Sequence, residues 1–404
     1  MKILQINSVC GYGSTGRIAI QLGEYLKENG HECMIAFGRG ESKGYSNAYH
    51  IGGKYTSMLH GVAARITDRQ GFYSKNATKQ LLKKIDDFDP DVIHLHNVHG
   101  YYLNVPQLFQ YLKEKKTPVV WTFHDCWPFT GHCTYFDMAG CDKWKTGCYK
   151  CVQKKEYPCS YFADQSKNNY LQKKQLFLGV QNLHIVSPSN WLDHLVGQSF
   201  LKDKDHKVIR NGIDLELFKP TESDFREKYH LQDKKILLGV ASIWGQRKGL
   251  SDFIKLASLI DENKIIVLVG VNDKIASLLP PNIIGIQRTE SISQLCEIYS
   301  AADVFLNLTY QDNFPTSNIE ALACGTPVIT YNTGGSIECV QEHCGAVVEC
   351  GDFDSLLRAI DSEYDFEQCI KRSKDFSLEN RWKEYLNLYK EILEQEMCES
   401  DSVL

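Results

Sequence analysis

The chain has 404 residues, 43% of them apolar and 24% charged, which allows two or three ordinary domains and excludes the weakly apolar, highly charged profile of a disordered chain. No apolar run reaches the roughly 18 residues of a membrane span, and no dense basic stripe points to nucleic acid. The net charge of −5 is unevenly spread: residues 1–200 hold 23 Lys and Arg against 16 Asp and Glu, and the remainder holds 22 against 34.

Residues 1–7 turn polar too quickly for a signal peptide and read as a first core strand. The expectation is a cytoplasmic protein with reduced thiols. Short β-branched runs follow at residues 33–37, 92–95, 119–123 and 183–186, with helical faces between them such as Ile18, Leu22, Tyr25 and Leu26, then Val105, Leu108, Phe109 and Leu112. A second series occupies residues 236–243, 265–269, 283–286, 304–308, 328–331 and 346–348. Continuous apolar strands alternating with helices define an α/β protein with parallel sheets buried on both faces. Two series predict two doubly wound domains, 1–200 and 207–377, with the boundary where Lys-Asp-Lys-Asp-His interrupts the pattern. A last helix over 378–397 carries Leu378, Trp382, Tyr385, Tyr389 and Ile392 on one stripe. The charge asymmetry assigns the basic half to anionic lipid or an acidic substrate, or else to solvated faces that differ by chance.

Three segments carry chemistry. After the first strand, Gly11, Gly13 and Gly16 open a helix, either to let backbone amides approach an anion or as a plain tight turn. Arg247 and Lys248 stand before Gly249 between a strand and a helix; together they suit a diphosphate, and singly they read as solvated cations. From Asp312 through Phe314, Pro315 and Thr316 to Glu320, a loop acid precedes a helix start and a second acid follows inside the helix, which Gly325 ends. Helix amides beside carboxylates can hold sugar hydroxyls and a phosphate together.

With these residues in place the chain resembles glycosyltransferase family 4, the retaining, nucleotide-sugar-dependent transferases of GT-B fold. The matching pieces are residues 13–17, Thr122-Phe-His-Asp125, Asn211-Gly-Ile-Asp214, Arg247-Lys-Gly249, Asp312 to Glu320 with Ala321-Leu-Ala-Cys-Gly-Thr-Pro-Val328, and Gly334-Gly335 with Glu338, in order across nearly the whole chain. Within the family it is similar to bacterial exopolysaccharide and lipopolysaccharide enzymes of the colanic-acid type, through Trp127-Pro-Phe-Thr-Gly-His-Cys133.

The resemblance implies two Rossmann-like domains facing across a cleft, the first on the acceptor side, the second binding the donor, and a C-terminal helix returning to the first. It implies that Lys248 with Arg247 neutralises the donor diphosphate and that Glu320 binds the ribose. Asp312 then contacts the donor sugar, and the amides of Phe314, Pro315 and Thr316 hold that sugar or its phosphates. His124 lies near the transferred sugar, and Gly13 and Gly16 pack against the phosphates. Asp312 stands where the family carries glutamate, one methylene longer, and the family's arginine after the strand glycine is absent, so Arg247 takes its place.

The implied reaction is a front-face displacement in which the leaving phosphate accepts the acceptor's proton, with no divalent metal for catalysis. The implied partners are a nucleotide-sugar donor, a saccharide or lipid-linked acceptor, and a weak anionic-membrane contact at the inner face of the plasma membrane. Lys79, Lys83, Lys84, Lys113, Lys115 and Lys116 are the expected contacts. Two other functions fit the same pattern: a sugar-nucleotide epimerase, and a zinc-containing binding module on a degenerate transferase.

Six of the fifteen cysteines fall between residues 126 and 159. Cys133, Cys141, Cys148 and Cys151 include a Cys-x-x-Cys pair, and in a reducing compartment they are the expected ligands of a structural zinc, with His132, Cys126 and Cys159 as replacements. The 126–160 insertion has little apolar periodicity, so a metal would help order it. Buried free thiols, an iron–sulfur cluster or a disulfide are the alternatives.

Overall fold

Strands that are apolar on both faces must be covered on both faces, and both sheets of the protein follow from that requirement. The computed structural model describes residues 1–401. Strands β1 (Lys2–Val9), β2 (Glu32–Arg39), β3 (Ala48–His50), β4 (Val92–Leu95), β5 (Val119–Thr122), β6 (Leu183–Ser187) and β7 (Asp205–Val208) form a parallel sheet in the order β3-β2-β1-β4-β5-β6-β7. Strands β8 (Lys235–Val240), β9 (Lys264–Val269), β10 (Ile283–Ile286), β11 (Val304–Asn307), β12 (Val328–Tyr331) and β13 (Gly345–Val348) form a second, ordered β10-β9-β8-β11-β12-β13.

The chain divides into two units, 1–209 with 382–404 and 210–381. The division falls after β7, just past the stretch 198–207 where the sequence pattern is interrupted. The Lys-Asp-Lys-Asp-His stretch leads into an edge strand whose residues are only half covered. In the first unit Leu4, Ile6, Ile93, Leu95, Trp121, Phe109 and Phe177 build one core. In the second, alternate residues of β8 serve opposite faces: Ile236 and Leu238 pack with Phe305 and Ile319, and Leu237 packs with Phe253, Leu306 and Leu356.

The helix Leu378–Asp401 runs from the second unit into the first. Trp382, Tyr385, Tyr389 and Ile392 are buried, the Tyr389 hydroxyl lies 2.7 Å from His94 Nδ1, and the Tyr385 hydroxyl lies 2.9 Å from Thr122 Oγ1. Among the described residues no helix is long and apolar enough to cross a membrane.

Candidate active site

In an open parallel sheet, ligands gather beyond the carboxyl ends of the strands where the strand order reverses. In the second unit that point lies between β8 and β11, and the loops leaving those strands carry Arg247, Lys248 and Asp312. The turn Gln246–Lys248 offers the Arg247 carbonyl to Tyr310 N at 2.9 Å and to Thr309 Oγ1 at 3.0 Å. Two loops remote in sequence are thereby fastened together. Lys248 Nζ sits 2.5 Å from Asp312 Oδ2, and Arg247 Nη1 is 3.9 Å from the same oxygen. Burial alone would raise the Asp312 carboxyl, but the two cations outweigh it and hold it below the usual carboxylate range.

The Asp312 loop is pinned from two further sides. Gly335 N donates to the Asp312 carbonyl, and a Cβ on Gly334, whose φ is +53°, would stand 1.9 Å from that oxygen, so only glycine fits. Asn211 Nδ2 donates to the Phe314 carbonyl at 3.1 Å. That gives the Asn211-Gly-Ile-Asp214 segment a positioning role at the Phe314 backbone.

The helix Thr316–Ala323 begins directly after Pro315, so its positive end faces the same region. Thr316 and Ser317 are partly exposed and the rest of the helix is buried. Glu320 lies one turn deeper on the face of Thr316 and Ser317. It is buried and accepts from the Tyr299 hydroxyl at 3.1 Å. The Phe314 ring belongs to the core, tilted against Phe376, so only its backbone can meet a ligand.

The first unit reverses strand order between β1 and β4. Beyond β1 the turn carries Gly11, Gly13 and Gly16; Gly11 N donates to the Gly16 carbonyl at 3.0 Å, and a Cβ on Gly16 would press to 2.9 Å from Gly11 N. Asn7 ties this corner together, donating to the Thr15 carbonyl and accepting from Asn97 N on the segment after β4.

At the end of β5 stands His124, and its tautomer can be deduced. Gln5 Nε2 donates to the Ala19 carbonyl at 2.9 Å, which turns Gln5 Oε1 toward His96 Nε2, also at 2.9 Å. An amide oxygen only accepts, so His96 carries its proton on Nε2 and presents Nδ1 as an acceptor. His124 Nε2, 3.1 Å away, therefore donates, and Nδ1 of the neutral His124 ring is left as an acceptor. Burial lowers His124 to about 4 and holds His96 well below its ordinary value, so both rings are neutral at pH 7. Beside them His99 Nε2 donates to Asp125 Oδ2 at 2.8 Å, and Trp127 N donates to Asp125 Oδ1.

Cys133, Cys141, Cys148 and Cys151 come close enough in the insertion to act on one another's ionisation, Cys133 with Cys148 and Cys151, and Cys148 with Cys141 and Cys151. Phe136 stacks on Trp144 at 4.8 Å, both contact Phe129, and Lys173 Nζ donates to the carbonyls of Trp127 and Thr130 at 2.7 and 3.0 Å. Aromatic packing thus fixes a segment that lacks regular periodicity. Cys133 and Cys151 are neighbours whose ionisations are linked, Cys151 lowered and Cys133 raised, and Gly131 N donates to Cys148 Sγ at 3.2 Å. Cys141 lies partly buried against the first core. Among the described residues no group of three or more His, Cys, Asp or Glu is placed to hold a metal ion.

Comparison with known proteins gives the family and the fold. The profile described as Glycosyltransferase Family 4 matches residues 15–217, and that described as Glycosyl transferases group 1 matches 221–384. The chain belongs to glycosyltransferase family 4 and is a glycosyltransferase of GT-B fold. It is 24% identical to an Escherichia coli K12 chain provisionally named a colanic acid biosynthesis glycosyl transferase, over 97% of this chain and all of that one. It is 28% identical to a capsular polysaccharide biosynthesis glycosyltransferase of Staphylococcus aureus, over 52% of this chain and 62% of the other. Its fold is similar to sucrose-phosphate synthase from Thermosynechococcus elongatus, with TM-score 0.72 and 17% identity over 98% of this chain and all of that one. An Anabaena protein solved with UDP matches at TM-score 0.60 and 15% identity, over the whole of both chains.

Proposed function

We propose that the protein transfers a sugar, with retention of configuration, from a nucleoside-diphosphate donor to a lipid-linked saccharide in the assembly of a bacterial surface polysaccharide. The observation that carries this reading is the fastening of Lys248 and Arg247 to Asp312 at the reversal point of the second sheet, beside the start of the helix Thr316–Ala323. Cations and a helix dipole at one spot meet the charge of a leaving diphosphate, and each well-placed donor there is worth about 3 kcal/mol in the transition state. Lys248 and Arg247 supply at the diphosphate the positive charge that a divalent ion supplies elsewhere.

In the step itself the bond from the anomeric carbon to the diphosphate oxygen breaks. The acceptor hydroxyl oxygen bonds to that carbon on the same face, and its proton passes to the departing phosphate oxygen. Asp312 orients the sugar, Glu320 the ribose, and Nδ1 of His124 accepts from a substrate hydroxyl.

Two relatives support the acceptor class. A Campylobacter jejuni enzyme named for diacetylbacillosaminyl-diphospho-undecaprenol is 30% identical over 35% of this chain and 40% of its own. An Escherichia coli enzyme named for a GlcNAc-diphosphoundecaprenol is 28% identical over 38% of this chain and 43% of its own. The Anabaena neighbour solved with UDP and glucose supports the donor class. The test is incubation with UDP-, GDP- and ADP-sugars and an undecaprenyl-diphosphate saccharide, reading product by mass and its anomeric proton by NMR. Transfer with an inverted anomer would remove the front-face step, and isomerised donor without transfer would make the protein an epimerase.

A further inference from the structure

The helix Lys54–Thr67 shows solvent the side that a surface helix normally hides. Its buried residues are His60, Gly61 and Ala64, while Tyr55, Met58, Leu59, Val62 and Ile66 face outward. Their spacing puts all five on one stripe. Tyr55 is 78% exposed and Leu59 66%. The stripe continues onto a second segment: Tyr161 N donates to the Arg65 carbonyl at 2.8 Å and Ala163 N to the Ile66 carbonyl at 3.2 Å, which sets Tyr161 and Phe162, 63% and 76% exposed, beside the end of the helix. Single exposed apolar residues need no explanation, but a contiguous set drawn from two segments marks a contact surface.

We propose that this face seats the protein on an anionic membrane, with the stripe entering the boundary between headgroups and acyl chains. Charge selects the occupant. Lys54 begins the helix, Arg65 lies in its last turn, Lys154 Nζ donates to the Phe162 carbonyl at 3.1 Å, and Lys155 follows it; of the neighbouring acids, Glu156 and Asp164 are exposed and Asp68 is buried against His132, so the cations on this face outnumber its exposed carboxylates. Apolar side chains rimmed by Lys and Arg match an anionic lipid surface. A second copy related by a two-fold axis would press the same cations against each other.

The expected basic contacts lie elsewhere. Lys79, Lys83 and Lys84 are on the helix Lys75–Phe88, and Lys113 and Lys115 on Val105–Lys115, where Lys115 already pairs with Asp86 at 2.7 Å. The inference rests on the transfer reading only for the reason a membrane is needed, and its test uses binding alone.

The probe is sedimentation of the full chain with vesicles of equal parts phosphatidylcholine and phosphatidylglycerol, compared with phosphatidylcholine alone. Met58→Asn, Leu59→Asn and Val62→Asn combined should weaken binding to the mixed vesicles at least about tenfold, because each residue withdraws apolar area from the bilayer. The unfolding midpoint should stay near wild type. Transfer to a short-chain, water-soluble acceptor analogue should also be retained, so a failed membrane proposal and a failed transfer reading give different results. As a second variant, the indole of Leu59→Trp should shift its emission to shorter wavelength on the mixed vesicles. Added salt should weaken binding only in part, since apolar insertion is not screened. Unchanged sedimentation of the triple variant, an unshifted indole, or loss of a self-associated species in place of loss of vesicle binding would overturn the proposal.

Discussion

Replacing Lys248 with alanine tests the heart of the site. Its side chain is 20% exposed and that of Asp312 17%, so their 2.5 Å ion pair is only partly screened and counts for more than a surface pair. A charge-assisted hydrogen bond at such a place is worth about 1.5–3 kcal/mol, or roughly 10- to 150-fold in rate if it is made to the leaving diphosphate in the transition state. We expect Lys248→Ala to lower kcat/KM for the donor by that range. Arg247, at 3.9 Å from Asp312 Oδ2 and bonded to the Gln311 carbonyl, is already engaged and cannot fully compensate.

The pair complicates the reading in a way that can be resolved. Removing Lys248 leaves the Asp312 carboxylate with less opposing charge, so its pKa rises and the acid limb of the rate profile moves upward. A double-mutant cycle with Asp312→Asn separates the roles. If Lys248 serves only to hold Asp312, adding Lys248→Ala to Asp312→Asn costs nothing further. If Lys248 meets the diphosphate, most of its loss persists in that background. A folded Lys248→Ala protein with donor kinetics equal to wild type would refute the assignment.

Three further outcomes follow from the first unit. His96→Leu removes the acceptor that fixes the His124 tautomer, so kcat should fall while donor KM changes little; His96→Gln, which can still donate to Gln5 and accept from His124, should recover much of the rate. The S–H of Cys133 lowers Cys151 to about 7, so alkylation of Cys151 should rise to half its maximum near that pH; protection of all four thiols, released by a chelator, would instead show that they share a metal ion. Burial lowers Lys173 from 10.5 to about 7, so above pH 7 the unfolded chain holds more protons than the folded one and stability climbs with pH. Thermal midpoints between pH 7 and pH 8.5 should rise in wild type relative to Lys173→Met, and parallel curves would exclude a neutral amine.

Central strands were legible in the sequence because burial on both faces keeps their runs mostly apolar, with single buried polar residues such as Gln5 and His94 too few to hide the pattern. The edges were not: β3 is Ala-Tyr-His and β7 is Asp-His-Lys-Val, each half exposed and therefore free of the apolar signal. The run over 236–243 overshot, since β8 ends at Val240 and Ile243 is 80% exposed. The chain leaves the sheet there because the loop has to carry Lys248 to Asp312. Motifs named both residues, yet nothing in a linear reading pairs positions 64 apart. Cysteine spacing pointed to a shared thiol site and gave no sign of Phe129, Phe136 and Trp144, whose packing runs through the same segment. His96 was hidden for a related reason: it follows a four-residue apolar strand, and only the adjacency of β1 and β4 brings Gln5 to it.

The second unit places buried polar side chains under the candidate site, where apolar ones would pack at lower cost. Asn318 is fully buried; it accepts from Asn307 Nδ2 at 2.6 Å and donates to the Ser336 carbonyl at 3.1 Å, linking β11, the helix Thr316–Ala323 and the Gly334 loop. Asp252, in the helix Leu250–Ala257, accepts from the hydroxyls of Tyr310 and Tyr331 at 2.7 and 2.6 Å, which ties the helix after Lys248 to the Asp312 loop and to β12. Such groups cost about 1–3 kcal/mol each when left unpaired, so a loop shift that breaks one bond is opposed by the penalty of the group it strands. An apolar layer resists sliding weakly, because dispersion has little direction. The polar layer converts a general βα topology into fixed positions for Asp312 and the first turn of the helix, and a displacement of about 1 Å there would cost on the order of a hundredfold in rate.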